Sequence, residues 1–194
     1  MLGRLTSRAT PYGVVLGITV LCSLLYFLHL DATLAFRRSA IAHGEWWRLV
    51  TGNLLHTNHW HLLMNLAGLW VISFLHENHY RAANFSLLFA LLCLLQGLGL
   101  YWFFPTLGGY VGLSGMLHGL FAYGALKDIQ MKVRSGYLLF AGVCFKVAYE
   151  QYYGATDQIT KLIDARVATE AHLVGVIGGV LVFLLYRFIR KLAR

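Results

Sequence analysis

Charged residues are scarce in this chain. Of its 194 residues only 12% are charged and 58% are hydrophobic, which is far from the balance of a soluble globular domain. Cysteine is also rare, and Cys22, Cys93 and Cys144 each lie inside an apolar run without CxxC spacing. The spacing argues against a disulfide framework and a thiolate metal site, so we interpret them as buried thiols. The composition favours a protein that resides in lipid.

The apolar runs predict an all-α membrane protein with a single domain over 1–194. Crossing about 30 Å of hydrocarbon takes roughly 20 mostly apolar residues per helix, so the length suits about six spans. We place them at 12–30, 58–75, 83–103, 113–126, 136–152 and 167–189, with an interfacial loop over 31–57. Arg4 and Arg8 before the first run resemble a signal peptide, but the run is long and a convincing cleavage site is lacking, so we interpret it as a span.

The net charge of +8 predicts orientation better than it predicts nucleic-acid binding, because the basic residues flank apolar runs instead of forming one patch. With the N-terminus in the cytoplasm, ten basic residues fall on that side and five on the other. The cytoplasmic set is Arg4, Arg8, Arg81, Lys127, Lys132, Arg134, Arg187, Arg190, Lys191 and Arg194. This asymmetry predicts that both termini are cytoplasmic.

Three polar clusters interrupt the apolar runs, and polar residues within a membrane are functional candidates. His61 and Asn65, which follow His56, share a helix face at i and i+4. Gly112-Leu113-Ser114-Gly115 opens the fourth span, where free N–H groups at a helix N-terminus can stabilise an oxyanion. Taken singly, each cluster is explained better by a structural role than by catalysis, namely helix packing for His61 and Asn65, and capping or close packing of a helix for Ser114.

The third cluster places His172, Gly175 and Gly179 on one face of the sixth span. Gly115 and Gly119 form a matching GxxxG pattern on the fourth span. Small residues on both helices let the backbones approach closely, which predicts that His172 lies within hydrogen-bond reach of Ser114. The pattern therefore predicts a Ser–His dyad.

We expect no acid to complete a triad, because Glu170 points to a different helix face from His172. His118 lies one turn below Ser114, where it could stack on His172 or simply fill space. Lys146 and Glu150 in the fifth span have two possible interpretations. They are a snorkelling lysine paired with its own glutamate, or they hold a substrate backbone or a lipid head group beside the site.

Metal chemistry is one alternative, because nine histidines are many for a chain of this length. His76-Glu77-Asn78-His79 only superficially resembles a zinc-protease motif, because its second histidine comes at i+3. A haem or metal-transport bundle with His56, His59 and His61 as ligands stays open. We expect no cofactor and no catalytic metal.

Together these motifs resemble the rhomboid family of intramembrane serine proteases over nearly the whole length. Glu45-Trp46-Trp47-Arg48 resembles the tryptophan-arginine motif of the family, and the three clusters above match its other motifs in order and in span. The resemblance implies a six-helix bundle with an outward-facing cavity. It further implies Ser114 as nucleophile, His172 as general base and an oxyanion hole made by His61, Asn65 and the Ser114 backbone N–H.

His118 stands where many rhomboids carry tyrosine, and this variant resembles the rhombosortase branch. That resemblance implies a multi-pass enzyme of the bacterial inner membrane whose active site faces outward. Its substrates would be single-span membrane-anchored proteins, from which it removes a glycine-rich C-terminal sorting tail, and membrane lipids would be its other partners. The alternative is a non-catalytic rhomboid-like protein that binds membrane clients.

Overall fold

The computed structural model describes residues 10–193 and is almost entirely helical. In chain order the helices are α1 (Tyr12–Leu28), α2 (Asp31–Leu34), α3 (Arg38–Ala42), α4 (Arg48–Thr51), α5 (His59–Leu75), α6 (Ala82–Phe103), α7 (Ser114–Gln130), α8 (Ser135–Tyr153), α9 (Asp157–Ile163) and α10 (Thr169–Leu192). Two-residue strands β1 (Phe36–Arg37) and β2 (Gly109–Tyr110) pair antiparallel. Arg4, Arg8 and Arg194, used above to predict orientation, lie outside the described residues.

Six long helices coincide with the six predicted spans to within a few residues. α6 and α10 are long and apolar enough to cross a membrane, while α1 and α5 are apolar but have 17 residues each. Large apolar side chains point outward from the bundle, and Phe103 and Leu138 are each 77% exposed. Such surfaces are unfavourable in water and suit lipid. The helical bundle is confirmed, and the number of membrane crossings stays a prediction.

The segment 31–57, predicted as an interfacial loop, contains several short helices, and its position at the membrane interface stays a prediction. Arg48 is buried and donates hydrogen bonds to the carbonyl oxygens of Ala35 and Ala32, at 2.8 and 2.9 Å. Its Nε donates to Glu45 at 2.7 Å, and the Trp47 indole donates to the Thr33 carbonyl at 3.0 Å. Because one guanidinium satisfies several backbone groups at once, the segment keeps a fixed shape.

α9 was not predicted and lies between α8 and α10. Thr57 and Asn58, at the start of α5, donate hydrogen bonds to the carbonyl oxygens of Ile163 and Leu162, at 2.6 and 2.9 Å. The side chain of Asn58 also caps α5 by accepting from the His61 backbone N–H. α9 is therefore fastened over the first turn of α5.

The backbones of α7 and α10 are in direct contact along a line of glycines. A Cβ built on Gly175 would lie 1.8 Å from the Gly115 carbonyl oxygen, and one on Gly179 would lie 2.2 Å from that of Gly119. No residue with a side chain fits at either position, so the glycines set the separation of these two helices. Cys22 and Cys93 are free and buried, whereas Cys144 is only half-buried.

Candidate active site

Ser114 is the first residue of α7 and follows a tight loop. Gly112, two residues before it, has φ +124°, a conformation that strongly favours glycine. The Tyr110 hydroxyl donates to the Gly112 carbonyl and accepts from the Gly115 N–H. As the first residue of the helix, Ser114 carries a backbone N–H that has no carbonyl partner within α7. The loop therefore presents the hydroxyl and a helix N-terminus at one place.

The structure brings His172 to Ser114. His172 Nε2 lies 3.1 Å from Ser114 Oγ, across the glycine contact between α10 and α7. His172 is 5% exposed, so packing restricts the orientation of its imidazole. This distance is within hydrogen-bond reach, which a nucleophile and its general base require.

The expectation that His172 has no acidic partner is wrong. The Glu150 carboxylate on α8 lies 2.8 Å from His172 Nδ1. Glu170, the acid considered from the sequence, instead pairs with Arg166. The prediction failed because it weighed acids near His172 along the chain, whereas the acid that reaches His172 comes from a neighbouring helix.

His118 and Lys146 extend the same cluster. The rings of His118 and His172 stack with their centroids 4.1 Å apart and their planes 19° apart. Lys146 Nζ lies 2.7 Å from His118 Nε2, 2.9 Å from Glu150 Oε2 and 3.4 Å from His172 Nδ1. Lys146 is thus paired with its own glutamate and also reaches the histidine pair.

The contacts determine which nitrogen of each imidazole carries a proton. The Glu150 carboxylate can only accept, so His172 Nδ1 donates to it and Nε2 is free to accept from Ser114. The Ser114 carbonyl accepts from His118 Nδ1 at 2.7 Å, so His118 Nε2 accepts from the Lys146 ammonium. His172 therefore has the tautomer that a general base facing Ser114 needs.

His61 and Asn65 face the loop that precedes Ser114. A Cβ on Gly112 would lie 2.7 Å from His61 Nε2 and 3.6 Å from Asn65 Nδ2. The Thr57 backbone N–H donates to His61 Nδ1 at 3.4 Å, which leaves Nε2–H as a donor. Asn65 Nδ2 is buried and unpaired among the described residues. Two donors therefore converge beside the serine.

His56 packs against the ring of His61. It is 4% exposed, and the two rings meet edge to face with centroids 5.1 Å apart. Burial, together with the neighbouring His61, lowers the pKa of His56 to about 3. His56 is therefore a neutral packing partner at physiological pH.

A cavity of about 1050 Å³ opens onto these groups. Its wall is largely apolar, and its polar lining consists mainly of His61, Asn65, Ser114, His118, Lys146, Glu150 and His172. A large apolar pocket with a few convergent polar groups is typical of a site that binds and orients a ligand.

The alternative ligand set of His56, His59 and His61 is not brought together. His59 is exposed at the start of α5, and within residues 10–193 the groups close enough to hold a metal ion are His76, His79 and Asp128, and His118, Glu150 and His172. The second group belongs to the cluster of His172, Glu150, His118 and Lys146 beside Ser114, which we call the acid–base cluster. The hydrogen bonds of these side chains are already satisfied within the cluster and by Ser114.

Two residues near the serine were not singled out from the sequence. Gln96 on α6 is buried, and its amide lies against Gly115, where a Cβ would come within 2.4 Å of Nε2. Tyr110 holds the loop before Ser114 through its hydroxyl. A glutamine in the middle of an apolar span was a signal that could have found Gln96, whereas a loop tyrosine gives no such signal.

Comparison with known proteins agrees with the resemblance noted from the motifs. The Rhomboid domain model matches residues 43–188. YdcA and GluP of Bacillus subtilis (strain 168), both named for the rhomboid proteases, are similar to parts of the chain. YdcA is 37% identical over 81 residues, which is 42% of this chain and 41% of YdcA. GluP is 32% identical over 103 residues, which is 52% of this chain and 20% of GluP. The chain thus spans less than half the length of these two relatives.

Proposed function

Because the chain belongs to the rhomboid family, we propose that it is an intramembrane serine endopeptidase. The observation that carries this proposal is the line of contacts from Ser114 Oγ through His172 to the Glu150 carboxylate. The tautomer of His172 supports it, since Nε2 is the nitrogen free to accept a proton. The apolar cavity beside the serine supports a substrate that comes from the membrane.

In the proposed reaction Ser114 Oγ attacks a peptide carbonyl while its proton passes to His172 Nε2. Glu150 is a positioning residue that keeps Nδ1–H directed away from the serine and stabilises the imidazolium. A positioned base typically contributes about 10²–10⁴-fold to the rate. The proton then passes from Nε2 to the departing amine, and the acyl group on Ser114 is released to water or to another amine.

The oxyanion of the tetrahedral intermediate would be stabilised by His61 Nε2–H, Asn65 Nδ2 and the Ser114 backbone N–H. Their placement beside Gly112 supports this assignment, as does the lack of a partner for the buried Asn65 amide. Donors already in position need no reorganisation when the charge develops.

Lys146 has a donor left over for a substrate. An ammonium has three N–H bonds, and His118 and Glu150 use two of them. Its side chain is 46% exposed, and it lines the cavity. We propose that the third N–H binds an oxygen of the substrate or of a lipid head group. Lys146→Met should then raise KM for a membrane-anchored substrate and keep the rate of reaction with a small active-site probe within a few-fold of the parent.

A fluorophosphonate probe tests the serine hydrolase assignment directly. The protein in detergent micelles should be labelled on Ser114, and Ser114→Ala should abolish labelling. Ser86→Ala is the matched control, because Ser86 is an exposed serine on α6 that should not affect the reaction. Equal labelling of Ser114→Ala and the parent protein would favour the non-catalytic client-binding alternative.

The substrate proposal rests on His118, whose position in the motif resembles the rhombosortase branch and whose ring stacks on His172. We propose that the enzyme acts from the outer face of the bacterial inner membrane, with both termini cytoplasmic. It would remove the glycine-rich, membrane-spanning C-terminal tail of single-span exported proteins. Deleting the gene should then increase the C-terminal masses of some exported proteins, and unchanged masses would reject this substrate class.

A further inference from the structure

A second cluster of titratable side chains lies at the other end of α5. His76 Nδ1 is 3.1 Å from Asp128 Oδ2, and His79 Nε2 is 2.6 Å from Asp128 Oδ1. Each of the three residues offers one possible ligand atom, and these three atoms lie within 4.8 Å of one another. At 1.5 Å per residue, His76 is about 22 Å along α5 from His61. The cluster is therefore separate from the site around Ser114.

The Asp128 carboxylate is mostly buried and, within residues 10–193, has neither a lysine nor an arginine as an ion-pair partner. Its side chain is 13% exposed, and within residues 10–193 its ion-pair partners are the two imidazoles. Neighbouring Lys127 points elsewhere, since its ammonium lies over the Tyr186 ring and donates to Gln130. A buried carboxylate is costly unless it is paired or coordinates a metal.

His76 is held as a ligand would be. Its side chain is completely buried, and neither ring nitrogen has a hydrogen-bond partner among the described residues, because Nδ1 is near the carboxylate without the geometry to donate to it. A Cβ on Gly124 would lie 2.3 Å from the His76 ring, and one on Gly136 would lie 2.7 Å from Asp128 Cβ. Tight packing thus fixes both side chains.

We propose that His76 Nδ1, His79 Nε2 and an Asp128 oxygen bind one divalent transition-metal ion of the zinc class. Two imidazoles and a carboxylate are a common ligand set for Zn²⁺, and Co²⁺ and Ni²⁺ accept the same donors. Distances of about 2.0–2.2 Å from the ion to each ligand would require the two imidazole nitrogens and the carboxylate oxygen to move apart only slightly. The ion balances the buried carboxylate and links the ends of α5 and α7. This site does not depend on the proposed protease function.

The test uses protein without an affinity tag, stripped with a chelator and titrated with Co²⁺ in detergent micelles. We expect one equivalent of Co²⁺ to give a visible d–d spectrum that Zn²⁺ abolishes by competition. Loss of an outer-shell partner alone typically weakens metal binding 10–100-fold, so His79→Gln should weaken it by more than about 100-fold. Zn²⁺ should raise the Tm of the parent protein and leave the Tm of His79→Gln unchanged.

Two control variants separate this site from other histidines. Glu150→Gln removes the acid of the other histidine cluster, and His43→Gln removes an exposed imidazole. Both should keep full Co²⁺ binding. If His79→Gln fails to fold, the near-isosteric Asp128→Asn provides the comparison. Absence of a Co²⁺ spectrum and of a Zn²⁺-dependent Tm shift in the parent protein would overturn the proposal, as would loss of binding in Glu150→Gln.

Chelation distinguishes this site from the catalytic one. Because the cluster is about 22 Å along α5 from His61 and about 16 Å from Asn65, fluorophosphonate labelling of the stripped protein should proceed at the parent rate at a temperature where the protein stays folded. If labelling of the folded protein depended on the metal, the ion would take part in the reaction, and the two sites would not be independent.

Discussion

The acid–base cluster makes a specific prediction about charge. Glu150 Oε2 accepts from both His172 Nδ1 and Lys146 Nζ, at 2.8 and 2.9 Å. Glu150→Ala removes this shared acceptor and leaves the ammonium 3.4 Å from His172 Nδ1. The ammonium can then donate to Nδ1, which moves the imidazole proton to Nε2, where it blocks the acceptance of the Ser114 proton.

The magnitude follows from the distance between the two cations in the transition state. At the 3.4 Å observed between Lys146 Nζ and His172 Nδ1, an imidazolium and an ammonium repel by about 5 kcal/mol at an effective dielectric of about 20. Lys146 is 46% exposed and can swing into the cavity, so we reduce this to about 2–3 kcal/mol. That corresponds to a rate loss of about 30–150-fold in Glu150→Ala.

The assay is the second-order rate of fluorophosphonate labelling of Ser114 in a double-mutant cycle. Glu150→Gln keeps an oxygen that can accept from both donors, so it should lose only about 10-fold. Removing the repelling ammonium should restore the rate, so Glu150→Ala combined with Lys146→Met should react at least about 10-fold faster than Glu150→Ala alone. Lys146→Met alone should stay within a few-fold of the parent.

Either of two outcomes would refute the reasoning. Labelling of Glu150→Ala at the parent rate would mean that the carboxylate does not position His172. A double variant no faster than Glu150→Ala would mean that the ammonium exerts no repulsion on the imidazolium. Thermal unfolding of each variant serves as the control for folding.

Three further predictions concern packing, pH and the proposed oxyanion donors. Gly175→Ala forces a Cβ to within 1.8 Å of a backbone oxygen of α7, so it should destabilise the fold by about 3 kcal/mol, whereas Gly17→Ala in open space should not, as measured by Tm. Since the pKa of His56 is about 3 when folded and about 6.5 when unfolded, its contribution to stability is full above about pH 6.5 and lost as pH falls toward 3. Tm should therefore fall less on acidification in His56→Gln than in the parent, and parallel curves would contradict this. Asn65→Ala should slow fluorophosphonate labelling by about 10²-fold, while Asn84→Ala on the exposed start of α6 should not.

The long helices were predictable because each apolar run is long and has few interruptions. The Ser114 and His172 pair could also be anticipated, since glycines at fixed spacing on two helices indicate a close approach. α9 and the short helices of 31–57 were missed because their order comes from tertiary hydrogen bonds, such as those of Arg48 and Thr57. Such contacts leave no periodic signal in the sequence.

Glu150 shows the limit of reading one helix at a time. Its spacing from Lys146 predicted an ion pair, and the structure has that pair. The same carboxylate also reaches His172, 22 residues away, because α8 packs beside α10. Only the rotation of α8 about its axis decides this second contact, and a single sequence does not specify that rotation.

The pairing of β1 with β2 has a mechanical consequence. Phe36 lies opposite Tyr110 in this ladder, and the Gly112 N–H donates to the Gly52 carbonyl at 3.1 Å. The turn that carries Ser114, the proposed nucleophile, is thus braced by residues more than 60 positions earlier in the chain. If Ser114 acts as proposed, loosening this brace, for example at buried Arg48, should shift the Ser114 hydroxyl relative to His172 and slow the reaction.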